Sequence, residues 1–118
     1  MIVVGIGFAC MGVAALVRPM LVAAQFGAIA DSSDARTEIR AVYGGFGVAM
    51  AVLLIVAALQ PGNTRDGVAL TVGVALGGMA IGRLIGMIIE RPRGWYPTIT
   101  YLIIEVVAAV ALVALAAG

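Results

Sequence analysis

Two ionisable side chains, Arg83 and Glu105, lie inside stretches of the chain that are otherwise apolar enough for a lipid bilayer. A charge at bilayer depth costs roughly 3 kcal/mol on insertion scales, so such residues usually face a bundle interior and have partners. An arginine guanidinium recognises carboxylate and phosphate groups through paired hydrogen bonds. We therefore expect a polar site within the membrane-embedded part of this protein.

The composition indicates an integral membrane protein. Of the 118 residues, 64% are hydrophobic and 11% are charged, and the mean hydropathy is +1.18. A soluble domain is only about half apolar. Because a helix needs about 20 apolar residues to cross a hydrocarbon core of ~30 Å, the chain has room for four spans. We predict an all-α fold, a polytopic four-helix bundle formed by a single domain over residues 1–118.

Prolines, glycines and helix-capping residues divide the chain into these spans. Pro19 ends the first span, because proline disfavours helix in the residue before it. A run of N-cap residues at 31–34 starts the second helix, and residues 60–63 form a short turn before the third. The predicted spans cover about 2–17, 35–59, 66–89 and 98–117, with an interfacial segment at 19–27.

The first apolar run has no arginine before it, so it lacks the charged n-region of a cleavable signal peptide. Cys10, the single cysteine, excludes an intrachain disulfide and a multi-cysteine metal site. We expect it to be a small buried filler.

Arginines choose the orientation of the four spans. The loops after spans one and three share one side of the membrane and hold five arginines, whereas the other side holds only Arg65. The positive-inside rule therefore places the long loops in the cytoplasm and both termini outside it. The loop at 90–97 would set Trp95 and Tyr96 at headgroup level. The five arginines on the cytoplasmic side are Arg18, Arg36, Arg40, Arg91 and Arg93.

The same topology permits the buried charges to meet. Arg40, Arg83 and Glu105 each lie about 9 to 12 Å inside one interface at ~1.5 Å per residue. Tyr43 lies three residues after Arg40 and Tyr101 four residues before Glu105, so the helical spacing permits a cluster of all five residues.

Three further charges have secondary roles near this cluster. Arg36 shares a helical stripe with Arg40, Tyr43 and Gly47, whereas Glu38 points nearly the opposite way. Glu38 and Glu90 are expected to be interfacial charges that can partly neutralise the arginines.

Two interpretations of the cluster remain open. In the first, Arg83 and Glu105 are a buried ion pair that fixes how helices three and four dock, since such pairs can specify geometry while adding little net stability. In the second, two buried arginines for one deeply buried carboxylate leave a surplus positive charge. That charge could receive an anionic headgroup, a carboxylate or a quinone oxygen.

Glycines at four-residue spacing indicate faces that allow close helix approach. They can serve packing inside the bundle or association of identical subunits, and because the bundle is small we favour a homo-oligomer. The predicted packing residues are Gly44, Gly45 and Gly47 on helix two and Gly78, Gly82 and Gly86 on helix three.

Signatures of enzymes and of nucleic-acid binding are missing from the sequence. It contains no histidine and no lysine, no nucleophile motif and no clustered metal ligands, so we predict no catalytic residue, no cofactor and no metal. The formal net charge of +1 gives no basic patch for nucleic acid.

The residues also resemble a known family. The segments 36–45 and 78–83, the tripeptide at 90–92 and Tyr101 with Glu105 are similar to the DUF4345 family of small bacterial four-helix membrane proteins. The similarity covers nearly the whole chain, with a more distant likeness to DoxX-like proteins. It implies a bacterial inner-membrane location and the same fold, and it implies no substrate.

The leading functional hypothesis is a non-enzymatic, homo-oligomeric membrane bundle that binds a lipid-like or amphipathic molecule near the buried arginines and glutamate. The main alternative is a structural or accessory subunit of a larger membrane complex, with another membrane protein as partner. A lower alternative is a small proton-coupled transporter in which Glu105 titrates.

Overall fold

The protein is helical throughout the part that the structure describes. A computed structural model describes residues 1–29, 31–60, 62–91 and 98–118, of which 88% are helical and none lies in a strand. The helices are α1 (Ile2–Val17), α2 (Pro19–Gln25), α3 (Ser33–Ile39), a π-helical segment (Arg40–Gly45), α4 (Phe46–Ala58), α5 (Asn63–Glu90) and α6 (Thr98–Ala117).

The chain divides into two compact units, Met1–Leu59 and Gln60–Gly118. In the first unit, α1 packs against α4 and against the π segment. In the second unit, α5 packs against α6.

The first unit has a sharp corner between α1 and α2, which are bent by 114°. The corner lies at Arg18, whose non-helical backbone (φ −136°, ψ 72°) precedes Pro19 at the first position of α2. This is the expected behaviour of proline, which restricts the residue before it and suits the first turn of a new helix. The segment ends near Gly27, which has a positive φ of 71°.

Glycines set the closeness of the first unit's packing. A Cβ built on Gly12 of α1 would lie 2.7 Å from the Val48 amide nitrogen and 2.9 Å from the Gly44 carbonyl oxygen. A Cβ on Gly47 would lie 3.0 Å from the Gly12 Cα. The two backbones therefore touch at a point where only glycine fits.

The helix formed by α3, the π segment and α4 is continuous, but its hydrogen bonding is not α-helical throughout. The side chain of Ser32 accepts a hydrogen bond of 3.0 Å from the Ala35 amide, which caps the start of α3. At the π segment the Phe46 amide bonds to the Ala41 carbonyl, five residues back. This wider turn changes the facing of the residues in and beyond it.

The π segment corrects the stripe predicted for helix two. That stripe assumed unbroken α-helical spacing through Arg36, Arg40, Tyr43 and Gly47. Arg40 and Tyr43 are exposed, whereas Gly47 is buried against α1. Because the wider turn lies within this stretch, these residues do not form one uniformly buried face.

The second unit is an antiparallel pair of helices, α5 and α6, which pack along a narrow apolar seam. The seam contains small and medium side chains, and Gly73 lets α6 approach, since a Cβ there would lie 3.1 Å from Leu112 Cβ. Its buried residues are Ala69, Val72, Leu76 and Ala80 from α5 and Ala109 and Leu112 from α6. On α5 the helical spacing continues from Ala80 to Arg83.

Among the described residues, three helices are long and apolar enough to cross a membrane: Ser33–Ala58, Asn63–Glu90 and Thr98–Ala117. The pair α1 and α2 meets the same criteria only when taken together across its bend. Alone, the 16 residues of α1 rise ~24 Å, less than a hydrocarbon core of ~30 Å. A complete bundle of four spans thus stays a prediction.

Two expectations from the sequence have different outcomes. The expected buried position of Cys10 is wrong: its side chain is exposed. The buried residues of α1 are Gly5, Gly12 and Ala15, which leave Cys10 on the other side of the helix. The headgroup placement of Trp95 and Tyr96 lies outside the described residues.

Replacing Gly12 by alanine should loosen the first unit, because the new Cβ would meet backbone atoms that cannot turn away. We expect a loss of about 1–3 kcal/mol, the usual cost of overpacking, measured as a lower midpoint of thermal unfolding in a mild detergent.

The control for this variant is Gly7→Ala on the same helix, where a Cβ would meet no atom within 4 Å. It should not destabilise and can gain up to ~1 kcal/mol from helix propensity. Equal effects of the two variants would contradict the close packing of α1 and α4.

Candidate functional site

The centre of the site is an ion pair between α5 and α6. Arg83 Nε donates to Glu105 Oε1 at 2.8 Å, and Arg83 Nη2 donates to Glu105 Oε2 at 2.9 Å. Both carboxylate oxygens are therefore held by one guanidinium in the fork geometry that arginine favours.

Burial explains why the two residues need each other. Glu105 is the buried charged residue of the part of the chain that the structure describes, with 5% of its surface exposed. A lone carboxylate in such surroundings is strongly unfavourable. Removing one partner of a buried pair costs about 3–5 kcal/mol, since the other charge is left uncompensated.

The two partners are not buried equally. The side chain of Glu105 is 6% exposed, whereas that of Arg83 is 21% exposed. The carboxylate therefore faces the seam between the helices, and the guanidinium is the partner on its accessible side.

Tyr101 completes the site from one turn earlier on α6. The Arg83 Cζ lies 5.6 Å from the centre of the Tyr101 ring, within the range of a cation–π interaction. The four-residue spacing of Tyr101 and Glu105 places both on the face of α6 that meets Arg83. The structure thus brings together three of the five residues predicted for the cluster.

The other two predicted residues, Arg40 and Tyr43, belong to the π segment of the first unit. Arg40 Nε donates to the Leu16 carbonyl oxygen at 3.0 Å. Leu16 lies in the last turn of α1, where carbonyls have no partner within the helix. Arg40 therefore caps α1, and its charge suits the negative end of that helix. Its proximity to Arg83 stays a prediction.

The three secondary residues lie at helix ends. Arg36 and Glu38 are in α3, half-buried and exposed respectively, and Glu90 is the exposed last residue of α5. Arg91 follows it in the left-handed conformation, with φ of 49°, as the C-cap of α5.

The six predicted packing glycines have different surroundings. Gly44 faces Leu16 and Gly47 faces Gly12, both on α1, whereas Gly45 faces only its own helix. Within the second unit, a Cβ on Gly78, Gly82 or Gly86 would meet no atom within 4 Å. Those three glycines leave an open strip on α5.

Two features of the first unit were not predicted from the sequence. The capping of α1 by Arg40 was signalled by the Pro19 break, which leaves the last carbonyls of α1 without amide partners. The close approach at Gly12 had no such signal, because a single glycine in an apolar run does not reveal its neighbour.

No group of three or more potential metal ligands occurs in the described parts of the chain.

Comparison with known proteins identifies the family and no individual relative. No curated protein and no solved structure matches the chain. One family model matches residues 1–116, essentially the whole sequence, and its description is a domain of unknown function. The chain belongs to the DUF4345 family.

Proposed function

We propose that this chain is a non-enzymatic, multi-pass protein of the bacterial inner membrane that binds an amphipathic molecule with an anionic headgroup at Arg83. The observation that carries the proposal is the unequal burial of the ion pair, in which the side chain of Glu105 is 6% exposed and that of Arg83 is 21% exposed. A guanidinium has five N–H donors, so it can hold a carboxylate and a second oxygen ligand together.

The depth of the pair supports a headgroup ligand. The 28 residues of α5 rise ~42 Å, about 12 Å more than the hydrocarbon core, so each end would project by about 6 Å. Arg83 lies ~10 Å from the end of α5, and its long side chain can reach toward the interface. A lipid phosphate or carboxylate therefore lies within its range.

The arginine distribution supports the orientation. Five of the seven basic residues fall in or beside the two segments that we place in the cytoplasm, which leaves both termini outside. Arg83 then lies in the cytoplasmic half of the bilayer.

A second candidate function is a structural or accessory subunit of a membrane complex. It is favoured by the two short hydrogen bonds between Arg83 and Glu105, which satisfy both carboxylate oxygens without any ligand. In that case the pair serves only to dock α5 on α6.

Lipid retention distinguishes the two candidates. The full chain is purified in a mild detergent, weighed by native mass spectrometry and extracted for lipid analysis. We expect the wild type to carry a defined anionic amphiphile and Arg83→Met to retain roughly 10- to 100-fold less, as for loss of a charged hydrogen bond. Arg65→Met, at the other end of α5, is the matched control and should retain the amphiphile.

A double variant guards against misfolding in that experiment. Arg83→Met with Glu105→Leu removes both charges, so no buried carboxylate is left alone and the helices can still pack. We expect it to fold and to lack the amphiphile. Full retention by the folded double variant, or a wild type without a bound amphiphile, contradicts the proposal.

The open glycine strip on α5 supports a homo-oligomer as part of the same proposal. Small residues at four-residue spacing let helices approach closely in a membrane, where packing and not hydrophobicity drives association. In the second unit the strip of Gly78, Gly82 and Gly86 is without a packed neighbour.

The test of oligomerisation is Gly78→Leu, which lies away from Arg83 by more than one turn of α5. We expect native mass spectrometry to show a multimer for the wild type and a shift to monomer for this variant. Gly67→Leu is the control, since Gly67 has the same open surroundings outside the strip. A monomeric wild type, or an unchanged multimer in Gly78→Leu, overturns the oligomer.

A further inference from the structure

We propose a second lipid site in the first unit. It is the groove at the corner between α1 and α2, and it holds one acyl chain of an anionic phospholipid. The phosphate of that lipid lies at Arg18. The proposal rests on residues 1–59 alone and is independent of Arg83. Lipid binding at one site does not require lipid binding at the other.

The groove is open along most of its surface and has the volume for an acyl chain. It measures about 590 Å³ and is lined along α1 by Ala9, Cys10, Val13 and Val17, with Leu21 of α2 across the corner. Ligand pockets in proteins measure about 300–1,000 Å³. From Ala9 to Val17 the groove follows α1 for ~12 Å.

The apolar lining is uncovered within the unit. Val13, Val17 and Leu21 are 54%, 68% and 50% exposed, on the side of α1 away from its buried glycines. Small side chains such as Ala9 and Cys10 make the depression, and the bend of 114° sets Leu21 against its end. The surface is therefore a shallow, open depression between α1 and α2.

The charge at one end of the groove selects the occupant. Arg18 is an exposed lining residue at the corner, and it takes no part in the Arg65–Asp66 and Arg83–Glu105 ion pairs. If α1 enters the bilayer, this corner lies at the interface and the groove descends from it toward the bilayer centre. A positive charge above an apolar channel matches an anionic phosphate above an acyl chain.

Headgroup preference tests the charge. The full chain is placed in detergent micelles that contain phosphatidylglycerol or phosphatidylcholine, and bound lipid is counted by native mass spectrometry. We expect a roughly fivefold preference for phosphatidylglycerol at this site, the ratio for ~1 kcal/mol per basic residue. In Arg18→Gln this contribution should vanish, whereas in Arg65→Gln it should remain.

Cys10 provides a direct report from the groove, because it is the single cysteine of the chain, is exposed and lines the groove. Its alkylation by N-ethylmaleimide should be slower with phosphatidylglycerol than with phosphatidylcholine in the wild type. In Arg18→Gln the two rates should be equal. This readout does not depend on the Arg83 site, so the two proposals can fail separately.

A filled groove tests the acyl chain. Ala14→Leu places a larger side chain on an exposed lining position, and we expect it to lose the bound lipid while remaining folded. Ala111→Leu, an equal enlargement at an exposed position of α6, should keep it. Three results would overturn the proposal. The wild type could bind both lipids equally, or Arg18→Gln could keep the preference for phosphatidylglycerol. The third is protection of Cys10 from alkylation that depends only on protein concentration. The last result would indicate a second copy of the chain in the groove.

Discussion

The pairing of Arg83 with Glu105 is the constraint on which the second unit depends. A carboxylate enclosed between two apolar helices needs a cation, and the guanidinium engages both of its oxygens at 2.8 and 2.9 Å. We infer that those bonds fix the rotation and the register of α5 on α6, because two directed hydrogen bonds tolerate less movement than apolar contacts do. The small residues of the seam, with Gly73 at its closest point, then let the helices approach until the pair can form.

This arrangement also connects structure to the proposed function. Because Glu105 is enclosed and Arg83 is its more exposed partner, the guanidinium is the accessible side of the pair. Arginines have two roles in the first unit as well. Arg40 caps α1, and Arg18 lies at the corner beside an apolar groove. We infer that arginines near the interface either complete the fold or meet anionic lipid groups.

Much of this organisation follows from local sequence signals. Pro19 marks the corner, Ser32 caps the next helix, and the depth of Arg83 and Glu105 singles out the residues that form the pair. What could not be predicted depends on contacts between distant segments. The π segment changes the facing of Arg40 and Tyr43. Cys10 is exposed because packing against α4 uses the other side of α1.

The most direct test of the account is a double-mutant cycle on the ion pair. Free energies of unfolding would be measured in one detergent for the wild type, Arg83→Met, Glu105→Leu and the double variant. If the pair acts as a unit, each single variant loses about 3–5 kcal/mol and the double variant loses no more than either one. Losses that simply add would show that Arg83 and Glu105 contribute separately, and would contradict the claim that their pairing fixes how α5 meets α6.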